Sequence, residues 1–330
     1  RATRKLSLFY FFTFSFYTIY SEGEGSPFKT EERRLSVMGE ILKFKQVEGK
    51  DVYNPTAPVR EVGRDCIAAR VEERDIFWQH PDYRPFSKFF TKRDGYWIPM
   101  KDACSFVLED PFKSFVSGEL IFGGVQVFGK PGKRKFQTVF FRGECPGSLK
   151  RFAAGPEMMK DIRLVELADK RIGVFTRPQG GKRFKRGRIG FLIIDSLEEF
   201  KETDLLKAKL LESNLKSDEW EGVNDAKLLE SGRIAVLAHR ARISRSGKRS
   251  YWAISFILDP CSMKASEYKV VATREDFPPT PAKTPLLEDV VFPGELDYDY
   301  RLYAGLSDTS VGVKKIDNPY NEEFYFKQVS

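Results

Sequence analysis

Residues 109–125 read EDPFKSFVSGELIFGGV, and the same arrangement returns four more times along the chain. It is NPTAPVREVGRDCIAARVE at 54–72, KDIRLVELADKRIGVFTR at 160–177, NDAKLLESGRIAVLAHR at 224–240 and EDVVFPGELDYDYRLYAGLSD at 288–308. Each unit opens on an acidic or amide residue, passes through a short apolar strand and a turn holding Gly or Asp, and continues into a second strand. The leading residues Asn54, Asp110, Asp161, Asp225 and Asp289 stand 56, 51, 64 and 64 positions apart. A unit of that length holds a four-stranded blade, so five units predict a five-bladed β-propeller. Two β-sandwich domains are the other architecture open to such a chain, and the single repeated period argues against them.

In a propeller the innermost strands line one channel, so polar residues at equivalent strand starts converge on one funnel. A ring of carboxylates there is costly unless it binds something. The plain alternative is that each Asp only makes a turn before its strand. Turns, however, do not need the same register in every unit.

Working outward, LIFGGVQVF (120–128), TVFFRG (138–143), RIGFLIID (188–195) and YWAISFIL (251–258) also read as strands. One helix is expected over 196–213, where Ser196 can cap SLEEFKETDLLKAKLLES. The fold class is therefore all-β, with one short helical insertion.

Composition agrees with a folded domain. Hydrophobic residues at 41% and charged residues at 31% exclude collagen-like, disordered and multi-span membrane classes. A chain of 330 residues buries roughly 75% of its unfolded surface and needs no staple to fold. The net charge of +8, from 55 basic and 47 acidic residues, permits anionic partners without demanding one. Cys66, Cys104, Cys145 and Cys261 stand singly, and the histidines are His80 and His239 alone. No metal site or cofactor is expected from that set, and the cysteines read as free, mostly buried thiols.

Aromatic residues reach 14%, and eight of the fifteen residues of LSLFYFFTFSFYTIY (6–20) are Phe or Tyr. This run follows Arg1, Arg4 and Lys5 and is short of the roughly 20 residues that span a membrane, so no integral span is expected. It reads as a signal-like segment or as a non-native leader, and 21–37 as a linker. The domain is placed at 38–330, cytoplasmic if the native start is Met38 and secreted if 1–20 is a true signal. The basic runs KRFKRGR (182–188) and RARISRSGKR (240–249) read as solvated hairpin loops, because no nucleic-acid fold signature accompanies them. A homo-oligomer is left open.

VYNPTAP (52–58), LEDPF (108–112), MKDIRLVELADKRIGVFTRPQ (159–179) and LEDVVFPG (287–294) resemble a family filed as domain of unknown function 1861. That family is related to glycoside hydrolase family 130 in the five-bladed β-fructosidase superfamily. The resemblance implies a carbohydrate-active enzyme that cleaves β-mannosides or related glycosides by inversion, as hydrolase or phosphorylase. It also implies specific residues. The Glu-Asp-Pro-Arg motif of family 130 places the general acid at Asp110, although Phe112 stands where that family has Arg. Its Lys-Asp and His-Arg-Pro motifs resemble Lys160-Asp161 and Thr176-Arg177-Pro178, which makes Arg177 a phosphate or sugar contact. Tyr-His-Gly resembles Ala238-His239-Arg240, and Gly-Ala-Ala-Asp-Thr resembles 305–309, which casts His239 as an anion contact and Asp308 as an acceptor for a sugar hydroxyl.

Inversion needs a proton donor for the leaving oxygen and a nucleophile on the opposite face. If water attacks, a second carboxylate must activate it from about 6.5 to 9.5 Å away; Asp161, Asp289, Glu72 and Glu144 are open for that role. If inorganic phosphate attacks as co-substrate, a cationic cluster holds it instead. Arg70, Arg177 and His239 are the first candidates, with Arg163 and Arg142 behind them. Asp110 and Asp161 are thus read as catalytic, and Asn54, Arg70, Glu72, Lys160, Arg177, His239, Asp289 and Asp308 as substrate-binding. The alternative is a propeller that binds glycans or a protein without catalysis, which Phe112 and the Ile76-Phe77-Trp78 loop favour.

Overall fold

Alternating apolar residues punctuated by turns build five antiparallel blades in the computed structural model, which describes residues 37–325 apart from Arg64, Lys185 and 201–204. The expected leader and linker therefore lie outside the described residues, save Val37. Blade I holds Lys50–Tyr53, Cys66–Glu73, Phe86–Arg93 and Tyr96–Pro99. Blade II holds Glu109–Val116, Glu119–Phe128, Lys135–Gly143 and Lys150–Ala154. Blade III holds Arg163–Glu166, Ile172–Thr176, Gly190–Ile194 and Lys209–Leu210. In blade IV the strands Glu219–Leu228, Ile234–Ile243 and Arg249–Asp259 are edged by Lys264–Ala265 and Lys269–Ala272.

Blade V is assembled from both ends of the described chain. Asp289–Leu296, Arg301–Leu306 and Ser310–Lys315 are completed by Glu40–Ile41, with Glu40 opposite Val313. A few residues later Phe44 bridges to Trp97 of blade I. The last blade is thus tied to the first by the chain that leads into it.

Five apolar cores show why the ring holds. Each draws on two consecutive blades: Phe89 with Phe122, Phe140 with Ile172, Phe175 with Val236, Leu237 with Leu302, and Phe90 with Tyr303. Every blade therefore buries both faces, as its strands of Val, Ile and Phe require. The described chain is a five-bladed β-propeller.

Outside 201–204, the helix expected over 196–213 is formed only at Leu205. Its described residues give a 3-10 turn at Leu197–Glu199 and the strand Lys209–Leu210, while 201–204 lie outside the described residues. Ser196 makes no side-chain cap, and Leu197, Phe200 and Leu205 are spent on the core between blades II and III. Tertiary burial outweighs helix propensity there. All four cysteines are free, but only Cys66 is buried and Cys261 is exposed. No helix among the described residues is long and apolar enough to cross a membrane.

Candidate active site

Asn54 directly after the strand Lys50–Tyr53, Asp110 as the second residue of Glu109–Val116 and Asp161 two residues before Arg163–Glu166 gather at one end of the channel. Asn54, Asp110 and Asp161 share a left-handed backbone there, at φ 48, 48 and 60°. Asn and Asp tolerate that conformation best among residues with a side chain. In blade II the ladder slips between Glu109 and Phe112, a bulge that turns Asp110 off the regular pleat. Blades IV and V slip too, at Asn224 and at Gly294.

Blades I, II and V supply an acidic half built around Arg70. Asn54 Nδ2 and Arg70 Nη1 both donate to Asp110 Oδ1, at 2.6 and 3.0 Å. Arg70 Nη2 reaches Glu72 Oε2 at 2.9 Å and Glu109 Oε1 at 3.3 Å, and also the Tyr83 hydroxyl. Tyr83 donates to Glu109, and Lys283 to Glu72. Gly305 lets Asn54 enter: a Cβ there would stand 1.9 Å from Asn54 Oδ1.

Burial pushes the Asp110 carboxyl up, but Arg70, Lys160 and the bond from Asn54 outweigh it and hold the group below its usual range. Glu109 next door is raised, by burial first and then by the Asp110 charge, against the pull of Arg70. Burial lifts Asp308 to about 6, with Asp110 and Glu72 adding to the effect and Arg70 opposing it. Among the described residues no protein group hydrogen-bonds the Asp308 side chain.

Blades III and IV supply a basic half built around Asp161. Arg177 Nε stands 3.1 Å from Asp161 Oδ2 and His239 Nε2 stands 3.8 Å from it. Arg177 Nη2 donates to Gln179 at 3.0 Å, and His239 Nδ1 meets Asn224 Oδ1 at 2.8 Å. Gly222 makes the convergence possible, since a Cβ there would lie 2.6 Å from Asp161 Oδ2 and 2.8 Å from His239 Cε1. Although buried, the Asp161 carboxyl is drawn down to about 2 by Arg177, His239, Lys160 and Arg163. His239 is pressed down to about 3 by burial, with Arg177, Lys160 and Arg163 adding to that and Asp161 resisting. The imidazole is therefore neutral at ordinary pH. Lys160, which lowers both Asp110 and Asp161, forms no ion pair among the described residues.

The structure thus brings together Asn54, Arg70, Glu72, Asp110 and Asp308 on one side and Lys160, Asp161, Arg177 and His239 on the other. It does not bring in Asp289, which is only half-buried at the start of its strand, opposite Ser250. The bulge of blade V is Gly294, so no blade V side chain occupies the position that Asp110 holds in blade II. Nor does it bring in Asp225. One residue beyond the blade IV bulge, Asp225 points to the other end of the channel, where Lys227, Glu295, Lys113 and Glu61 form a chain of ion pairs.

Arg70 is wholly engaged by Glu72, Glu109, Asp110 and Tyr83, so it organises the acids and is not free for an anion. Arg142 is half-exposed and bonds Glu198 at 3.2 Å, far from this chemistry. Sequence reasoning passed over Tyr83, Glu109, Gly222, Asn224 and Lys283. Glu109 and Asn224 each adjoin an Asp that the repeat did single out, which was the available signal. Tyr83 and Lys283 come from connections between strands and carried none.

The profile of the family described as "Protein of unknown function (DUF1861)" matches residues 29–322. Among solved structures, a mannose phosphorylase from Leishmania mexicana in complex with phosphate ion is 34% identical, with a TM-score of 0.77 over 86% of this chain and 89% of that one. A GDP-Man-dependent mannosyltransferase from the same organism is 33% identical, with a TM-score of 0.77 over 87% of this chain and 92% of that one. An alpha-L-arabinanase from Penicillium chrysogenum, 10% identical with a TM-score of 0.50 over 86% of this chain and 99% of that one, shares the fold alone. No curated protein matched.

Proposed function

The chain belongs to the DUF1861 family, and from that premise we propose that it is an inverting glycoside phosphorylase acting on β-mannosides. A phosphate oxygen attacks the anomeric carbon from the basic half as the glycosidic C–O bond breaks on the acidic side. The leaving oxygen takes a proton from Asp110. The products are an α-configured sugar 1-phosphate and a shortened acceptor.

The observation that carries this reading is the cationic surround of Asp161. A carboxyl drawn down to about 2 is a feeble base for activating water. The same cations that disable it as a base suit an oxyanion, which needs no base at all. Lys160 and Arg177 hold phosphate, and neutral His239, whose Nδ1–H is spent on Asn224 Oδ1, keeps Nε2 as an acceptor for a phosphate or sugar O–H. Similarity to a phosphate-bound mannose phosphorylase supports the same assignment.

Asp110 is ionised in the empty funnel, yet both substrates favour its protonated form. Phosphate neutralises Lys160, one cause of its low position, and the sugar displaces water from the carboxyl. Asp308, with no hydrogen-bond partner among the described residues, accepts a hydroxyl of the sugar, and Glu72 holds Arg70 in place.

The equal similarity to a mannosyltransferase that uses GDP-Man favours a second reading on the same site. There the basic half would hold the diphosphate of a sugar nucleotide and the acidic half would receive an acceptor hydroxyl. A panel of β-manno-oligosaccharides with and without inorganic phosphate, alongside GDP-mannose with an acceptor, tests both. Phosphate-dependent shortening supports the first reading, transfer from GDP-mannose alone the second, and binding without any turnover overturns both in favour of a non-catalytic propeller.

A further inference from the structure

Arg163, the first residue of the innermost strand of blade III, is 4% exposed, and no carboxylate stands within ion-pair distance of it among the described residues. Two of its nitrogens are spent on backbone: Nε donates to the Asn224 carbonyl at 2.7 Å and Nη1 to the Ile162 carbonyl at 3.0 Å. Nη2 has no hydrogen-bond partner among the described residues. The guanidinium carbon lies 4.0 Å from the centre of the Phe112 ring, whose own seat against Gly123 is so close that a Cβ there would stand 2.3 Å from Phe112 Cζ. A buried cation with no counter-ion in contact is destabilising in general. The other buried cations among the described residues each have a carboxylate within ion-pair distance: Lys113 has Glu61 and Glu295, Arg70 has Glu72, Glu109 and Asp110, and Arg177, Arg240 and Lys314 have Asp161, Glu221 and Asp276.

We propose that Arg163 is a further anion-binding residue of this site and that Phe112 is the positioning residue that fixes it. The assignment rests on the phosphorylase reading and extends it to a residue that is bound neither by a carboxylate nor by a surface role. The bound oxyanion supplies the direct ion-pair contact that Asp161, Asp110 and Asp225, felt only through space, do not make. Asp161, two residues earlier, has Arg177 Nε at 3.1 Å and His239 Nε2 at 3.8 Å, and the charges of Arg163 and Lys160 act on it as well. Phe112 sits in blade II directly after the Asp110 bulge, so its ring clamps the guanidinium from the side of the acid. Burial lowers Arg163 to about 10, with Arg177 adding to that and the charges of Asp161, Asp110 and Asp225 opposing it.

Calorimetric titration of the full chain with inorganic phosphate, in phosphate-free buffer, tests the assignment on the wild type, Arg163→Met, Arg163→Lys and Phe112→Leu. Losing a charged hydrogen bond predicts phosphate affinity about 10- to 100-fold weaker for Arg163→Met, with an unfolding midpoint equal to or above that of the wild type. Arg163→Lys keeps the charge but not the fork and falls between the two. Phe112→Leu raises KM for phosphate while leaving KM for the sugar unchanged. Phosphate affinity within twofold of wild type in Arg163→Met and in Phe112→Leu overturns the assignment. So does a lower unfolding midpoint of Arg163→Met with unaltered phosphate binding, which marks a structural wedge between blades. If the wild type itself takes up no phosphate, the phosphorylase reading falls first, and a wild type that binds while every variant binds equally removes Arg163 alone.

Discussion

The two ends of one channel carry similar charged residues and use them in opposite ways. At the lower end Lys113 donates to Glu61 at 2.9 Å and to Glu295 at 2.7 Å, while Lys227 joins Glu295 at 3.1 Å and Asp225. The second oxygen of Glu295 accepts from the Ala57 amide at 3.0 Å. Each ammonium there has two carboxylates and each carboxylate has an ammonium. At the upper end Asp308 and Lys160 have no hydrogen bond or ion pair among the described residues, and buried Asn224 Nδ2 and Asp161 Oδ2 have no hydrogen-bond partner. A closed network fastens blades together; an open one is complementary to something the protein does not contain.

That contrast breaks cleanly if the two ends are mutated separately. Asp110→Asn removes the proton donor and is expected to lower kcat roughly 10²–10⁴-fold, with an unfolding midpoint close to wild type; an undiminished rate refutes the role given to Asp110. Lys113→Met strands two buried carboxylates and is expected to destabilise the fold by about 3–5 kcal/mol in a denaturant titration. The fraction that remains folded should keep wild-type kcat, and a loss of kcat would mean that the lower end takes part in the chemistry.

Gly222→Ala forces a methyl to within 2.6 Å of Asp161 Oδ2, displacing the basic half without touching a charge. Misplacement on that scale is expected to reduce kcat/KM for phosphate on the order of 10- to 100-fold while the KM for the sugar stays put. Equal losses for both substrates would place Gly222 in the fold rather than in the anion site.

The titrations are opposed as well. Asp308, lifted to about 6, accepts a sugar hydroxyl more strongly once ionised, so kcat/KM should rise through pH of about 6 and Asp308→Asn should remove that limb. Its raised value means that it contributes stability at low pH that is lost as pH climbs from 3.8 through about 6. His239 acts the other way. It is kept neutral down to about 3 against 6.5 in the unfolded chain, so its contribution is present above 6.5 and lost as pH falls toward 3. His239→Gln should flatten the acid side of the stability profile, and an unchanged slope would show that another group governs it.

How far residues alone lead is visible in the five repeat heads. Asn54, Asp110 and Asp161 were legible because one physical demand, a polar residue that tolerates left-handed backbone, marks all three. Asp225 and Asp289 carry the same letters without that demand. In blade IV the bulge falls one residue earlier, at Asn224, and in blade V it falls on Gly294. A repeat spacing of about sixty residues is too coarse to resolve a shift of one, and one residue along a strand reverses where a side chain points. The propeller was legible because its period survives such slips. The partition of cations between an acid-organising Arg70 and a basic pocket was not, since it depends on which neighbouring blade each guanidinium meets.

The stereochemistry of the first product is the most direct measurement. Proton NMR of a β-manno-oligosaccharide turning over in inorganic phosphate should show an α-configured sugar 1-phosphate appearing from the first turnover, with no free sugar released at the reducing end of the cleaved bond when phosphate is absent. A β-configured phosphate, or free sugar formed at the same rate without phosphate, would contradict single-displacement attack from the basic half of the funnel.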